Sequence, residues 1–108
     1  MRKLVVIPIL TLLAGPILAV AELDAPAKAW KKGLCKACHG DNGSGDTPAG
    51  RNLGAKDLRS KEVQSRSDDE IRLTIRDGQN DMPSFENAFT DEELDAVVEY
   101  VRRLAKED

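Results

Sequence analysis

The residues with the clearest capacity for chemistry are Cys35, Cys38 and His39, in the stretch GLCKACHGDNGSGD at positions 33–46. The chain has no other cysteine and no other histidine. On a helix, residues three apart project onto the same side, so the spacing predicts two neighbouring thiols with an imidazole beside them. Such a set could hold a metal, form a disulfide, exchange electrons as a dithiol or anchor a prosthetic group.

The N-terminal segment, residues 1–21, has the three parts of a secretory signal peptide. Two basic residues precede a long apolar run, and Ala19 and Ala21 form an A-x-A cleavage site. The run is close to the shortest length that spans a membrane, so an uncleaved anchor is the alternative. The sequence therefore predicts a signal peptide at residues 1–21, a single domain at residues 22–108 and a periplasmic location. Membrane attachment through an uncleaved N-terminal helix is the alternative location.

In an exported chain, the pattern C-x-x-C-H is the attachment signature of c-type haem. Each thiol adds across one vinyl group of the haem to form a thioether, which explains a pair of cysteines at this spacing. The histidine then follows the second anchor directly and reaches the iron from one side. The sequence thus predicts one covalently bound haem c, with Cys35 and Cys38 as its thioether residues and His39 as an axial iron ligand.

Three other interpretations of these residues fit less well. A structural zinc site needs four protein ligands, and the chain offers only two cysteines and one histidine. A thioredoxin-like dithiol would follow a strand, and no strand is predicted before Cys35. A plain disulfide between Cys35 and Cys38 would leave His39 and the long glycine-rich segment after it unexplained.

The other face of an iron held by His39 needs a second ligand, and Met82 is the candidate. After removal of Met1, it is the only methionine of the chain. A methionine that fills a gap in a core belongs on a helix face, whereas Met82 stands in the polar stretch GQNDMPSF. Pro83 favours an extended backbone at the residue before it. Because His/Met ligation is known for c-type haem, we predict Met82 as the distal ligand, with a packing methionine as the alternative.

Helices must position these groups, and the sequence pattern predicts three main ones. The first spans residues 24–38, with an N-cap and a proline in its first turn. The second spans residues 67–78 and the third residues 90–106; both begin with a capping box, and the third has a continuous apolar stripe. The segment 40–66 has no periodicity, apart from a possible short turn at Val63, and is predicted to wrap the haem as a loop. The expected fold is all-α, with three main helices around one covalent haem.

The sequence resembles small class I cytochromes c of the bacterial periplasm. The likeness rests on LCKACHGDNGSGD, on MPSF and on the final TDEELDAVVEYVRRL helix, and it spans residues 27–105. The resemblance implies a cytochrome c fold in which the first and last helices cross near one haem edge, with Trp30 and Tyr100 in the contact. It also implies that a carbonyl beside a proline, here Pro48, accepts the free N–H of His39.

Two polar residues of the long loop are further candidates for the haem environment. Arg51 and Asn52, in AGRNLG, could hydrogen-bond a haem propionate. An ordinary exposed pair in a loop explains them equally well.

With His39 and Met82 both on the iron, no position remains for a substrate, so the sequence predicts a one-electron carrier and not an enzyme. We expect a monomer that makes transient contacts with periplasmic or membrane-bound redox proteins, without stable membrane insertion once the signal is cleaved. A net charge of −3 argues against nucleic acid as a partner. The alternative function is a haem sensor or a catalytic haem protein in which Met82 is displaceable.

Overall fold

The computed structural model describes residues 24–106, and within that range the chain is helical and has no strand. In chain order the helices are α1 (Ala25–Lys32), α2 (Lys36–His39), α3 (Pro48–Leu53), α4 (Lys61–Gln64), α5 (Asp68–Asp77) and α6 (Asp91–Lys106). The long helices α1, α5 and α6 correspond to the three predicted ones, so the all-α class is confirmed. None of the helices in this range is long and apolar enough to cross a membrane. The predicted signal peptide lies outside the described residues.

The first helix is shorter than the pattern predicts. A single helix over residues 24–38 is wrong: α1 ends before Gly33, Leu34 has a left-handed backbone with φ of 56°, and α2 begins after Cys35. Gly33 weakens helix continuation, and a Cβ there would lie only 2.8 Å from the ring of Phe89. As a result Leu34 is 73% exposed and does not continue the buried face of α1.

The segment 40–66 is not the continuous loop that its missing periodicity predicts. The Thr47 side chain caps α3, whose first residue is Pro48, and the Ser60 side chain caps α4 through the backbone N–H of Val63. A capping hydroxyl followed by proline is a strong start signal for a helix. The short turn predicted at Val63 is confirmed as α4.

Helices α5 and α6 begin as their sequences predict. The Ser67 hydroxyl accepts a hydrogen bond from the backbone of Glu70, while the Glu70 carboxylate accepts one from the backbone of Ser67. Thr90 and Glu93 form the same reciprocal pair at the start of α6. Gly78 directly follows α5, with φ of 81°. These caps satisfy backbone N–H groups that the helices cannot use themselves.

The hydrophobic core lies between α1, α5 and α6. The apolar stripe of α6 is buried as predicted, and its buried members are Leu94, Val97, Val98, Val101 and Leu104. From α5, Ile71 and Ile75 pack into the same cluster. Helix α1 packs against α6, where the rings of Trp30 and Tyr100 stack with their centroids 4.7 Å apart. The aromatic contact implied by the resemblance is therefore confirmed.

Candidate cofactor site

All six helices contribute to one largely apolar cavity of about 440 Å³. Four of the predicted site residues line it: Cys35, Cys38, His39 and Met82. Its apolar wall includes Trp30, Leu58, Ile71, Ile75 and Val97. The volume is in the range of small-molecule and cofactor pockets. An apolar wall that carries two thiols, one imidazole and one thioether sulfur has the donor set that c-type haem requires.

The ring of His39 is held by a backbone carbonyl. Its Nδ1 lies 3.0 Å from the carbonyl oxygen of Lys56. Since a carbonyl can only accept, Nδ1 donates the hydrogen bond, and Nε2 keeps the lone pair that binds a metal. Burial lowers the pKa of His39, and the hydrogen bond to Lys56 opposes that shift. A neutral imidazole with a fixed tautomer and a hydrogen-bonded second nitrogen suits an axial ligand.

The resemblance implies that a carbonyl beside Pro48 accepts the N–H of His39, and the structure corrects this expectation, because the acceptor is the Lys56 carbonyl. Pro48 is exposed and does not line the cavity. The carbonyl before it, that of Thr47, already accepts the backbone N–H of Arg51 at 2.8 Å. Because Pro48 starts a helix, its neighbouring carbonyl is used inside that helix, and Lys56 beyond the helix supplies the bond to His39 instead.

Arg51 and Asn52 lie on the surface of α3 and also do not line the cavity. The Arg51 guanidinium forms an ion pair with Asp46. The structure therefore does not bring these two residues to the site. The cavity-lining cations are Lys56 and Arg66, which the sequence patterns did not single out.

Cys35 and Cys38 are not joined by a disulfide, and they lie at the beginning and within the body of α2. Cys35 has helical dihedral angles, φ of −58° and ψ of −34°, so the pair spans one helical turn as predicted. Burial raises the pKa of the Cys35 thiol to about 11. A redox-active dithiol needs a lowered thiol pKa, so this environment disfavours the thioredoxin-like interpretation.

Helix α3 holds α2 in place through Thr47. Its Oγ1 lies 3.0 Å from the carbonyl oxygens of both Ala37 and Cys38, and it accepts the backbone N–H of Gly50 at 2.8 Å. A Cβ on Gly50 would collide with the Cys38 carbonyl oxygen, so only glycine permits this approach. One hydroxyl thereby joins the start of α3 to the end of the segment that carries the thiols and the imidazole.

Met82 is presented by a tight turn after α5. Gln79 and Met82 exchange two backbone hydrogen bonds, of 3.1 and 2.9 Å, and Asn80 between them is left-handed with φ of 55°. A Cβ on Gly78 would lie 2.8 Å from the Met82 carbonyl oxygen, so the turn packs closely against the end of α5. These contacts fix the backbone around Met82, and Met82 lines the cavity.

Comparisons with known proteins agree with this architecture. Residues 21–101 match the family model described as "Cytochrome C oxidase, cbb3-type, subunit III". The solved structure of the KustC0563 c-type cytochrome is similar to this chain, with 38% sequence identity and a TM-score of 0.60. That similarity covers 65% of this chain and 86% of the other. No curated protein matches the chain.

The family match extends over every site element, from α1 through the turn of Met82 and into α6. It confirms the predicted resemblance to a small monohaem cytochrome c, and with it the cofactor, a covalently bound haem c. The general role of such domains is electron carriage by the haem. The chain therefore belongs to the cytochrome c family defined by the cbb3-type subunit III model.

Proposed function

We propose that this protein is a one-electron carrier in which the haem is joined to Cys35 and Cys38 and its iron is ligated by His39 and Met82. It exchanges electrons with periplasmic or membrane-bound redox proteins. When bound, the haem supplies cycling between Fe(III) and Fe(II). The observation that carries the proposal is a single apolar cavity lined by both thiols, by an imidazole with its Nε2 free and by a thioether sulfur.

The two proposed ligands come from separate segments, His39 from α2 and Met82 from the turn after α5. Two ligands on opposite faces of a haem iron must come from separate segments, because residues next to each other in the chain cannot reach both faces of the haem ring. With both positions filled, no substrate can bind the iron, and outer-sphere electron transfer remains. The thioether of Met82 and the apolar wall favour the less charged Fe(II) and raise the reduction potential.

Electron exchange is proposed at the opening of the cavity beside Leu34 and Leu53. These leucines are 73% and 47% exposed although both line the cavity, so the cavity wall meets solvent at these two residues. Lys32 and Lys36, close to Leu34 in sequence, each pair with a carboxylate, so their positive charges are partly balanced. The two exposed leucines therefore form a small apolar surface beside paired charges. A small apolar rim suits the brief, low-area contacts of redox partners.

The test is the optical spectrum and CO reactivity of the haem-loaded protein and of its Met82→Ala variant. The wild type should show the far-red methionine–iron band when oxidised and should not bind CO when reduced, unless denaturant is added. Met82→Ala should lose the band and bind CO. Leu73→Ala is the matched control, because Leu73 is 44% exposed and does not line the cavity.

Two outcomes would count against this function. Ready CO binding by the wild type would favour the sensor or catalytic alternative, in which Met82 leaves the iron. An unchanged far-red band in Met82→Ala would remove Met82 from the site.

A further inference from the structure

The glycine-rich turn after His39 contains an asparagine that electron transfer does not use. Asn42 precedes Gly43 in the stretch HGDNGSGD. Asn42 is exposed, and it lies in a turn between the helices α2 and α3. Because glycine has no side chain, its backbone nitrogen can approach the side-chain amide of the preceding asparagine closely. The Asn42–Gly43 pair therefore has the composition of a site that can modify itself.

The other asparagines of the chain differ from Asn42 in the residue that follows them. All of them are exposed, as Asn42 is: Asn52, Asn80 and Asn87. The residues that follow them all carry a side chain: Leu53, Asp81 and Ala88. A Cβ next to the attacking backbone nitrogen restricts the dihedral angles that bring this nitrogen to the amide. Exposure thus does not distinguish Asn42 from the other three, but the glycine after it does.

The side-chain amide of Asn42 is held by a backbone hydrogen bond. Its Oδ1 accepts the backbone N–H of Ser44 at 3.0 Å, which bends the side chain back along its own backbone in an Asx-turn. Attack on the amide carbon Cγ places negative charge on Oδ1, and an N–H that already points at this oxygen stabilises that charge. The attacking N–H of Gly43 must leave its hydrogen bond to the Gly40 carbonyl, which is long at 3.2 Å.

We propose that Asn42 is a site of spontaneous deamidation through Gly43. The backbone nitrogen of Gly43 loses its proton and forms a bond to Cγ of Asn42, while the Cγ–Nδ2 bond breaks and Nδ2 leaves as ammonia with a proton. The product is a cyclic imide. Water then opens the imide at Cγ to give aspartate, or at the backbone carbonyl carbon to give isoaspartate, in which the main chain runs through the former side chain. Either product replaces a neutral amide by a carboxylate.

The fold should tolerate the two products differently. Aspartate keeps the backbone and adds a charge to an exposed side chain, whereas isoaspartate lengthens the backbone by one carbon directly before Gly43. Gly43 is buried, and its carbonyl oxygen accepts the backbone N–H of Leu58 at 2.7 Å. A Cβ on Gly43 would lie 2.7 Å from Leu104 Cδ1, so this position has no room for displacement. Isoaspartate at position 42 should therefore lower the stability of the fold.

The same turn is joined to the candidate cofactor site. The backbone N–H of Gly45 donates to the His39 carbonyl oxygen at 2.8 Å, so residues 39–45 form a closed turn that contains Asn42. A longer backbone inside this turn strains its closure. Isoaspartate therefore acts on the segment that carries His39 and not on a distant loop.

The experiment follows the haem-loaded wild type during incubation at mildly alkaline pH, beside a sample unfolded in guanidinium. Samples are digested at acidic pH, which slows further deamidation. Mass spectrometry with electron-transfer fragmentation then locates each conversion of an amide to a carboxyl group and distinguishes aspartate from isoaspartate. In the folded protein Asn42 should convert first and give both products, while the other three asparagines keep their amides over the same period.

Asn42→Ser is the matched control for the effect on stability, because a serine hydroxyl can accept the Ser44 N–H but carries no amide. After the incubation, unfolding of the wild type in denaturant should show a growing fraction that unfolds at lower denaturant concentration. Asn42→Ser should keep its initial midpoint.

Conversion of Asn42 in the unfolded sample but not in the folded one would show that the turn protects the amide, and it would overturn the proposed site. Conversion of another asparagine before Asn42, or of none in either sample, would overturn it as well. An equal loss of stability in the aged wild type and the aged Asn42→Ser would refute the effect of isoaspartate on the fold.

Discussion

The hydroxyl of Thr47 joins α3 to the segment that carries the haem-binding residues, and Thr47→Val removes it with little change in shape. Two kinds of interaction are lost. One is the cap of α3, in which Oγ1 accepts the Gly50 N–H at 2.8 Å. The other is the hydrogen bond that Oγ1 donates to α2, at 3.0 Å from either Ala37 or Cys38.

The size of the effect follows from these contacts. Loss of a side-chain N-cap costs about 0.5–2 kcal/mol, and one neutral hydrogen bond contributes about 0.5–1.5 kcal/mol. The single hydroxyl proton serves only one carbonyl at a time, so one donated bond is counted. Thr47→Val should therefore lower the free energy of unfolding by about 1–3.5 kcal/mol.

The assay is equilibrium unfolding of the haem-loaded protein in denaturant, followed by circular dichroism. Thr47→Ser is the matched control, since it keeps the hydroxyl and loses one methyl group, with an expected cost under about 1 kcal/mol. If Thr47→Val unfolds at the wild-type midpoint, the hydroxyl does not hold α2 to α3. If Thr47→Ser loses as much stability as Thr47→Val, packing of the methyl group and not hydrogen bonding is responsible.

Two further changes test other contacts. Gly78→Ala places a Cβ 2.8 Å from the Met82 carbonyl oxygen and should weaken the far-red band, whereas Gly54→Ala, also at positive φ but with no atom within 4 Å, should leave the band intact. Equal spectra for both variants would show that the turn tolerates the added Cβ. The pKa of Glu93 is lowered first by its hydrogen bond from Lys32. The Lys32–Glu93 contact therefore contributes its full stability above the pKa that Glu93 has in the unfolded chain, and this contribution is lost as the pH falls through the lower pKa of Glu93 in the folded protein. Lys32→Met should be less stable than the wild type at neutral pH, and this difference should shrink in acid. Unfolding of the wild type and Lys32→Met in denaturant, at neutral and at acidic pH, measures this difference. A difference in stability that stays constant in acid would contradict the contribution of Lys32 to the pKa of Glu93.

The helices that carry strong local signals were predictable from the sequence. The capping box at Ser67, the reciprocal pair at Thr90 and the apolar stripe of α6 each depend on side chains near one another in the chain. Helix α3 also carried a signal, the Thr47–Pro48 pair, but the glycines around it obscured the pattern. The requirement for glycine at position 33 depends on Phe89, which is distant in sequence and approaches Gly33 only in the folded chain.

The candidate site was predictable where its chemistry is carried by rare side chains. Cys35, Cys38, His39 and Met82 stand out by type, and the structure brings them to one cavity. The carbonyl that binds His39 could not be predicted in this way, because every residue has a carbonyl and only the path of the folded chain selects that of Lys56. The same holds for the arginines, since they are common and only the fold decides that Arg66 lines the cavity and Arg51 does not.

The most direct test of the central claim is the methyl signal of Met82 in the NMR spectrum of the reduced, haem-loaded protein labelled at methionine methyl groups. Apart from Met1, Met82 is the only methionine, so its signal is unambiguous. A thioether bound to the iron places this methyl group over the centre of the porphyrin, and the ring current should shift its signal far to high field. A Met82 methyl signal at the ordinary position of an unbound methionine would contradict the account.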